Sequence, residues 1–248
     1  MHFPSVKALV TGGTSGVGRD LARQLLAEGA AVAICGRDPD RLVETAEEMP
    51  GLHAIRADLA REGDLARLVD TATEALGGLS LLVHNAAVQL TYDLVGRDPG
   101  PLFVDIDAEI ATDLIAPMKL TALALPHLLA APAAAVVTVS TALAVSPKRS
   151  APGYAAAKAG LRAFTKALRY QLDHDAPTVA VVEAMLPLVD TPMTAGRGAA
   201  KITSAAAAAE LLAGLRAART EIHIGRAKTF LVLHRIAPRR ADALLRDA

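Results

Sequence analysis

Tyr154 and Lys158 are the two side chains whose types and spacing most clearly predict chemistry. Four residues make about one helical turn, so on a helix both side chains lie on one face. A tyrosine has an unperturbed pKa of about 10, and a neighbouring ammonium favours the phenolate and lowers that pKa. Such a phenol can give and take a proton near neutral pH. The alternative, a chance pairing on a solvated helix, is weakened because the chain has only 3 tyrosines.

A glycine-rich segment, TGGTSGVG at 11–18, indicates a second kind of chemistry. It lies between a predicted strand and a predicted helix. Glycines there let backbone amides approach a phosphate, and the helix N-terminus favours negative charge. A plain tight turn is the alternative. The context and the spacing favour a pyrophosphate site, with contacts from Gly12, Thr14, Ser15, Gly16, Val17 and Gly18.

Alternating strands and helices must position these two motifs. Short apolar or β-branched runs predict buried strands at 6–10, 31–35, 52–56, 81–84, 135–139 and 179–183. Helical periodicity predicts helices at 18–28, from 39, at 64–76 and at 205–218. The alternation predicts an α/β protein with a single-domain Rossmann fold, in which helices cover both faces of a doubly wound parallel sheet.

Two loops and a tail interrupt this alternation. Proline and glycine near 89–103 and 189–204 predict loops that border a substrate pocket. The tail from about residue 225 mixes apolar residues with arginines. We expect it to pack on the body of the protein or on a partner subunit rather than on a membrane surface. With the loops and the tail, residues 1–248 form one predicted domain.

Charge and composition exclude several classes of partner. The 26 basic and 26 acidic residues cancel, and only 3% of residues are aromatic, so neither nucleic acid nor a membrane is an expected partner. The stretch 120–140 is long enough to span a bilayer, but Pro126, His127 and Pro132 interrupt it. A helix that ends near Ala130, a short turn and the strand at 135–139 account for the same residues without a membrane. The single cysteine, Cys35, and the lack of a recognisable secretory signal favour a cytoplasmic location. No metal site is expected, because no residues have ligand spacing.

Three motifs, taken in order, resemble the classical type of the short-chain dehydrogenase/reductase family. They are the glycine-rich segment, the triplet at 85–87 and the segment that runs from Tyr154 to Lys158. The resemblance covers about residues 6–193, and the segments 187–191 and 224–228 resemble the branch related to DltE. It implies a Rossmann fold, hydride transfer with a nicotinamide dinucleotide, and a homodimer or homotetramer formed through helices at 110–129 and 155–172.

The resemblance also implies roles for catalytic residues. Tyr154 would transfer the proton, and Lys158 would hold the nicotinamide ribose. The family's substrate-holding serine corresponds to Thr141, and Ser140 is the second candidate. Because alternate residues of a strand face opposite sides, only one of the two side chains is expected to point into the site if both lie within the strand. The family's asparagine aligns with Asp113. In the family the main-chain carbonyl at this position holds a water that leads to the lysine, and Asp113 could keep that role. Asp113 could also be an ordinary helix residue, or its carboxylate could pair with Lys158 and reduce the effect of the ammonium on the pKa of Tyr154.

The choice of cofactor depends on the end of the second strand. A carboxylate there would bind both ribose hydroxyls of NAD, but this chain has Gly36 followed by Arg37. Gly36 cannot repel a phosphate and Arg37 can bind one, which predicts NADP(H) over NAD(H). The alternative is a surface arginine paired with Asp38 or Asp40. Further implied cofactor contacts are Tyr154, Lys158, Asp58, Leu59, Asn85, Ala86, Ala87, Pro187, Val189 and Thr191.

These residues and the resemblance predict an NADP(H)-dependent oxidoreductase. It would reduce a ketone or aldehyde of a small, largely apolar substrate, or oxidise the alcohol, with tyrosine as general acid/base. Leu143, Val145 and Met193 favour a hydrophobic substrate over a sugar. The alternative is a protein of the same fold that binds the dinucleotide without redox turnover, as a regulatory protein or a nonredox lyase or cyclase. The departures at Asp113 and Thr141 motivate that alternative.

Overall fold

Strands form the centre of the computed structural model, which describes residues 2–198 and 200–247. The strands are β1 (Lys7–Thr11), β2 (Ala31–Gly36), β3 (Leu52–Arg56), β4 (Leu81–His84), β5 (Ala134–Thr141), β6 (Val179–Leu186), β7 (Val189–Asp190), β8 (Ile202–Thr203) and β9 (Glu221–His223). Seven of them make one parallel sheet in the order β3-β2-β1-β4-β5-β6-β9, and β7 pairs with β8 alone.

Helices cover both faces of this sheet. They are α1 (Gly16–Ala27), α2 (Pro39–Glu48), α3 (Glu62–Leu76), α4 (Pro99–Ile110), α5 (Ala116–Leu129), α6 (Pro152–Asp175), α7 (Ser204–Arg216), α8 (Ala227–Ile236) and α9 (Pro238–Leu245). Successive strand residues point to opposite faces. Val10 therefore packs in a core with α1 and α7, and Leu9 in a core with α3, α5 and α6. The predicted doubly wound α/β fold is confirmed.

The order of the strands determines where a site can form. β1 pairs with β2 on one side and with β4 on the other, so the chain leaves these neighbouring strands in opposite directions. A crevice opens at the carboxyl ends of the strands at such a point, and open α/β sheets bind their ligands there. The glycine-rich segment follows β1 and the segment 85–88 follows β4, so both border this crevice.

Several predicted boundaries were wrong. β5 and β6 continue beyond their predicted ends because they stay in register as far as the pair Thr141 and Leu186. α4 begins inside the first predicted loop, since Pro99 is suited to the first helical position and the Asp98 carboxylate accepts a hydrogen bond from the Gly100 amide at 3.0 Å. By contrast, the helix predicted to end near Ala130 is α5, which ends at Leu129 and contains Pro126.

The C-terminal tail packs on the body of the protein. Ala241 of α9 is fully buried, and the Ser146 hydroxyl donates to Asp242 Oδ1 at 2.6 Å. The Arg149 amide donates to the Arg246 carbonyl at 2.9 Å. These bonds attach the tail to the loop between β5 and α6. In the described parts of the chain, every helix is too short or too polar to cross a membrane.

Candidate active site

A cavity of about 520 Å³ lies at the carboxyl ends of β1, β4, β5 and β6. Its volume is in the range of small-molecule sites. The predicted site residues that line it are Gly12, Thr14, Ser15, Gly16, Val17, Arg37, Asp58, Leu59, Asn85, Ala86, Ala87, Ser140, Thr141, Tyr154, Lys158, Pro187, Val189 and Thr191. Gly18 and Asp113 lie behind the lining, where they contact residues that form it.

The glycine-rich loop presents backbone amides to this cavity. Ser15 occupies the N-cap position of α1, but in the described structure its side chain makes no capping hydrogen bond, so the amides of the first turn are uncapped. Gly16 has φ of 53°, and a Cβ there would lie 2.8 Å from the Thr191 methyl carbon. Glycine is needed both for the backbone angle and for the close packing. The loop can therefore accept an anionic group.

Asn85 holds this loop through its side chain. Its Nδ2 donates to the carbonyls of Thr11 at 2.9 Å and Gly12 at 3.2 Å. The Thr11 hydroxyl, buried between the strands, accepts hydrogen bonds from the amides of Asn85 at 3.0 Å and Ala86 at 3.1 Å. Thr11 was not predicted as a site residue, although it opens the glycine-rich motif. The contacts make both residues positioning residues for the loop.

Arg37 is exposed at the edge of the cavity. The alternative of an ion pair with Asp38 or Asp40 is not seen among the described residues, and Asp38 lies instead 3.6 Å from Arg41. A Cβ on Gly36 would lie 2.9 Å from the Thr14 methyl carbon, so a larger residue would have to displace Thr14. This end of the cavity therefore offers a cation and little room for a carboxylate.

Tyr154 and Lys158 extend from α6 into the cavity. The Lys158 ammonium lies 5.7 Å from the centre of the Tyr154 ring and donates to the Val139 carbonyl at 3.4 Å. Burial, followed by the charge of Asp113, raises the pKa of Tyr154, while the charge of Arg197 lowers it. The prediction of a lowered pKa for the phenol is wrong for this structure, because desolvation raises that pKa and Lys158 is not among the groups that shift it.

Asp113 lies in a π-helical turn, Ala111–Ile115, between α4 and α5. Its Oδ1 accepts a hydrogen bond from the Val88 amide at 2.7 Å. Its Oδ2 lies 3.7 Å from the Lys158 ammonium and has no hydrogen-bond partner among the described residues. Burial raises the pKa of this carboxyl to about 6, although Lys158 opposes the shift. Of the alternatives, the pairing with Lys158 is the one observed.

Ser140 and Thr141 both line the cavity, so the expectation that only one would reach it is wrong. Thr141 is the last residue of β5, where the chain turns, and its hydroxyl accepts a hydrogen bond from the Leu143 amide at 3.3 Å. Ser140 is 3% exposed, and its hydroxyl has no partner among the described residues. Within the described structure, the Ser140 hydroxyl thus has no competing hydrogen bond, while the Thr141 hydroxyl accepts one and keeps its proton to donate.

A buried clamp that was not predicted connects the loop after β4 to α6. Glu109 accepts hydrogen bonds from the Leu90 amide at 2.8 Å and the Tyr92 hydroxyl at 2.9 Å. The Tyr92 hydroxyl also accepts one from the Gly153 amide at 3.1 Å. Burial and Glu109 raise the pKa of Tyr92 to about 12, so its hydroxyl stays protonated and donates. In the sequence, the one feature that could have indicated this clamp is the spacing of Glu109 and Asp113. They are four residues apart and would lie on the same face of a helix.

The lining also includes Gln89, Lys148 and Arg197, which lie in the segments 89–103, 142–153 and 189–201 expected to form the pocket, and Leu245, which lies outside those segments. Gln89 and Arg197 belong to the two predicted substrate loops, and the Arg197 guanidinium donates to the Gln89 side-chain oxygen. Lys148 lies in the loop between β5 and α6, and Leu245 ends α9. They form no motif in the sequence, because contacts between distant segments bring them together.

Residues 6–202 match the family model described as short chain dehydrogenase. The uncharacterised oxidoreductase DltE of Bacillus subtilis is 39% identical over 191 residues, which cover 77% of this chain and 74% of DltE. The putative ketoacyl reductase 2 of the granaticin polyketide synthase from Streptomyces violaceoruber is 35% identical over 189 residues, covering 75% and 74%. Proteins of this class oxidise or reduce CH–OH and C=O groups. The chain belongs to the short-chain dehydrogenase/reductase family, and its similarity to DltE confirms the expected branch.

Solved structures agree with this assignment. A short chain dehydrogenase from Burkholderia cenocepacia J2315, in complex with NADP, is 27% identical and superposes with a TM-score of 0.80 over 90% of this chain and 98% of that one. A short chain dehydrogenase/reductase from Burkholderia phymatum, in complex with NAD, superposes with a TM-score of 0.87 over 100% and 98%. It is 18% identical, so it supports the fold alone.

Proposed function

We propose that this oxidoreductase reduces a ketone or aldehyde with NADPH, or oxidises the corresponding alcohol with NADP⁺, and that Tyr154 is its general acid/base. One observation carries the proposal. Tyr154, Lys158 and Ser140 line the same cavity as the glycine-rich loop, whose amides are uncapped at the start of α1. A proton donor, a hydroxyl that can bind a carbonyl oxygen and an anion-binding loop therefore share one space.

The residues around the cavity fit a nicotinamide dinucleotide. The amides at the start of α1 suit its pyrophosphate, and Arg37 suits a 2′-phosphate. The NADP complex of the related Burkholderia cenocepacia protein supports the same choice. When bound, the dinucleotide supplies or accepts the hydride. We propose that the other predicted cofactor residues in the lining contact it, namely Asp58, Leu59, Asn85, Ala86, Ala87, Pro187, Val189 and Thr191.

The protein's own groups would manage the proton and the oxygen. Because the pKa of Tyr154 is raised, its phenol is protonated at neutral pH, the form that carbonyl reduction requires. We propose that the Ser140 hydroxyl donates a hydrogen bond to the substrate oxygen while Tyr154 gives its proton to the same atom. The Thr141 hydroxyl is the second candidate for this hydrogen bond. Lys158 would then stabilise the phenolate that remains.

The substrate end of the cavity is mostly apolar. Leu143, Leu188, Met193 and Leu245 line it, from the loop after β5, the loops around β7 and the tail. Burial of apolar surface contributes roughly 25 cal/mol per Å², so such walls favour a small, largely apolar carbonyl compound.

Replacement of Tyr154 by phenylalanine tests the catalytic role. We expect Tyr154→Phe to lower kcat for NADPH-dependent reduction of a carbonyl panel by about 10² or more, because general acid catalysis is lost. Tyr170→Phe is the matched control, since Tyr170 lies on the same helix and is 63% exposed. Loss of NADPH absorbance gives the rates. Equal rates in wild type and Tyr154→Phe would refute the role. Tight NADPH binding with no turnover on any carbonyl would favour the nonredox alternative.

Replacement of Arg37 by glutamine tests the cofactor preference. We expect Arg37→Gln to raise KM for NADPH by about tenfold and to leave KM for NADH nearly unchanged, because a charge-assisted bond to the 2′-phosphate is lost. Arg41→Gln is the control, since Arg41 is exposed nearby and pairs with Asp38. An unchanged preference for NADPH in Arg37→Gln would contradict the assignment.

We further propose a cytoplasmic homodimer or homotetramer. Ile115, Met118 and Leu123, at and after the start of α5, are each 39% exposed. Apolar residues grouped on one helix support a subunit contact there, and light scattering with size-exclusion chromatography measures the number of subunits.

A further inference from the structure

The substrate end of the cavity carries two cations as well as its apolar walls. Lys148 and Arg197 both line it and both are half-buried. Among the described residues, neither forms an ion pair with a carboxylate. Asp58 is the one acidic residue among the described residues that line the cavity, and it follows β3 beside Leu59. The positive charge of Lys148 and Arg197 is thus uncompensated within the cavity.

Lys148, Arg197 and the proposed proton donor, Tyr154, line the same cavity. The charge of Arg197 lowers the pKa of Tyr154, and burial together with Arg197 lowers the pKa of Lys148. Two like charges held near each other and partly out of water repel, and an anion between them relieves that repulsion. A guanidinium has five donor N–H groups, and the bond from Arg197 to Gln89 uses one of them.

The chain holds both cations in place from different segments. The loop of Lys148 is attached to the tail through Ser146 and Asp242, at 2.6 Å. The Arg197 guanidinium donates to the side-chain oxygen of Gln89 in the loop after β4, and its backbone amide donates to the Thr194 carbonyl in a local turn at 3.1 Å. Their positions therefore depend on tertiary contacts within the protein, as a preorganised binding site requires.

We propose that Lys148 and Arg197 bind an acidic group of the substrate, so that the enzyme acts on apolar carbonyl compounds that also carry a carboxylate or a phosphate. The acidic group would lie between the two cations, the apolar chain against Leu143, Leu188 and Met193, and the carbonyl at Tyr154. Arg197 would bind a carboxylate or phosphate through two parallel N–H donors. This inference rests on the proposed function, because it names the substrate class of the same site.

The test compares acids with their neutral esters. Levulinate and longer ω-oxo acids are assayed with NADPH beside their methyl esters, and an oxoalkyl phosphate forms a second arm. We expect wild type to prefer the acid or the phosphate over the ester in kcat/KM by at least about tenfold, or about 1.4 kcal/mol. Arg197→Gln and Lys148→Gln should each reduce this ratio, and the double variant should bring it to about one. The arm with the larger ratio identifies the anion.

Arg149→Gln is the matched control. Arg149 is the neighbour of Lys148, but its side chain is exposed and lies 3.7 Å from Asp247, so the ratio should not change. An unchanged ratio in the double variant overturns the proposal. A rise in KM for NADPH, with the ratio unchanged, also overturns it and assigns the cations to the dinucleotide.

A binding measurement separates this proposal from the proposed function. Levulinate is titrated by calorimetry into wild type and into Arg197→Gln, each saturated with NADP⁺ and each checked for folding by circular dichroism. If wild type binds levulinate and Arg197→Gln binds it at least tenfold more weakly, the anion site is supported. If the same wild-type protein reduces no carbonyl compound, the proposed function fails and the anion site stands. Absence of binding to wild type overturns the anion site.

Discussion

At the scale of residues, Asp113 departs most clearly from the pattern that the family resemblance implies. An asparagine would add no charge near Tyr154, whereas Asp113 brings a carboxylate that is fully buried and 3.7 Å from Lys158. The charged groups that act on Asp113 are Lys158 from α6 and Glu109 from α4, and Lys158 also acts on the buried His84 of β4. Burial lowers the pKa of His84 to about 3, so the imidazole is neutral at the pH of an assay. The ionisation of Asp113 therefore controls the local charge.

We expect Asp113→Asn to make alcohol oxidation faster at neutral and alkaline pH. The pKa of Asp113 is about 6, so above that pH the carboxylate is charged and raises the pKa of Tyr154. Removing the charge favours the phenolate, which oxidation requires as its base. In a plot of kcat/KM for alcohol oxidation against pH, the rising limb should move to lower pH by about one unit. At a fixed pH on that limb, kcat/KM should therefore rise about tenfold. Well below pH 6 Asp113 is protonated, and the two enzymes should converge.

Asp107→Asn provides the control for this profile. Asp107 is exposed on α4, so this substitution removes one negative charge from the surface instead of from the buried site. A purely structural role of Asp113 would lower activity equally at every pH. That result, or a limb that stays in place, would show that the carboxylate does not tune Tyr154. Reduction should show the opposite trend, since it needs the protonated phenol.

The residues that the cavity brings together from local motifs were predictable, and their electrostatics were not. Tyr154, Lys158 and the glycine-rich segment are recognised by spacing along the chain, because a helix turn and a strand-to-helix turn are local structures. The pKa of Tyr154 depends on how deeply α6 is buried and on Arg197, which is far along the chain. Spacing within one helix reveals neither the burial of α6 nor the position of Arg197, so the predicted direction of the pKa shift of Tyr154 was wrong.

At the scale of elements, the clamp of Glu109 and Tyr92 holds the start of α6. The Tyr92 hydroxyl donates to Glu109 at 2.9 Å and accepts the Gly153 amide, next to Tyr154, at 3.1 Å. A Cβ on Gly153 would overlap Glu109 and the Tyr92 hydroxyl, so glycine is required there by close approach. Three elements thus meet at the residue before the proposed proton donor.

We expect Tyr92→Phe to lower the free energy of unfolding by about 2 kcal/mol, because it leaves a buried carboxylate oxygen and a backbone amide without their partner. It should also lower kcat, since the first turn of α6 loses an anchor. Urea denaturation measures the first effect and NADPH oxidation the second. Tyr170→Phe should change stability by less than about 0.5 kcal/mol, as expected for an exposed site. A similarly small change in Tyr92→Phe would mean that the clamp contributes little.

Most strands and helices were predictable, because a parallel sheet buried on both faces leaves apolar runs and its crossover helices leave a helical period. The strands at 52–56 and 81–84 agree with β3 and β4. The π-helical turn and the start of α4 were not predicted. One depends on packing around Asp113, and the other on a cap by Asp98 within a segment rich in proline and glycine.

At the scale of the whole molecule, the C-terminal tail completes the wall of the cavity. Leu245 lines it from the end of α9, and Ser146, which is fully buried, bonds Asp242 from the loop that also carries Lys148. The tail from about residue 225 lies outside the span of the family motifs, so its role could not be inferred from them. Through these contacts, the tail positions a loop that borders the substrate.

We expect Asp242→Ala to raise KM for the carbonyl substrate by about fivefold while KM for NADPH stays nearly constant. The Ser146 hydroxyl loses its acceptor, at a cost of about 1 to 3 kcal/mol, and the loop then spends more time away from the substrate. Asp173→Ala is the control, because Asp173 is exposed near the C-terminal end of α6, the end far from this loop. Limited proteolysis should show faster cleavage between β5 and α6 in Asp242→Ala alone. Equal rises in both KM values would instead indicate a general loss of folding, and the tail would then have no selective effect on the substrate side.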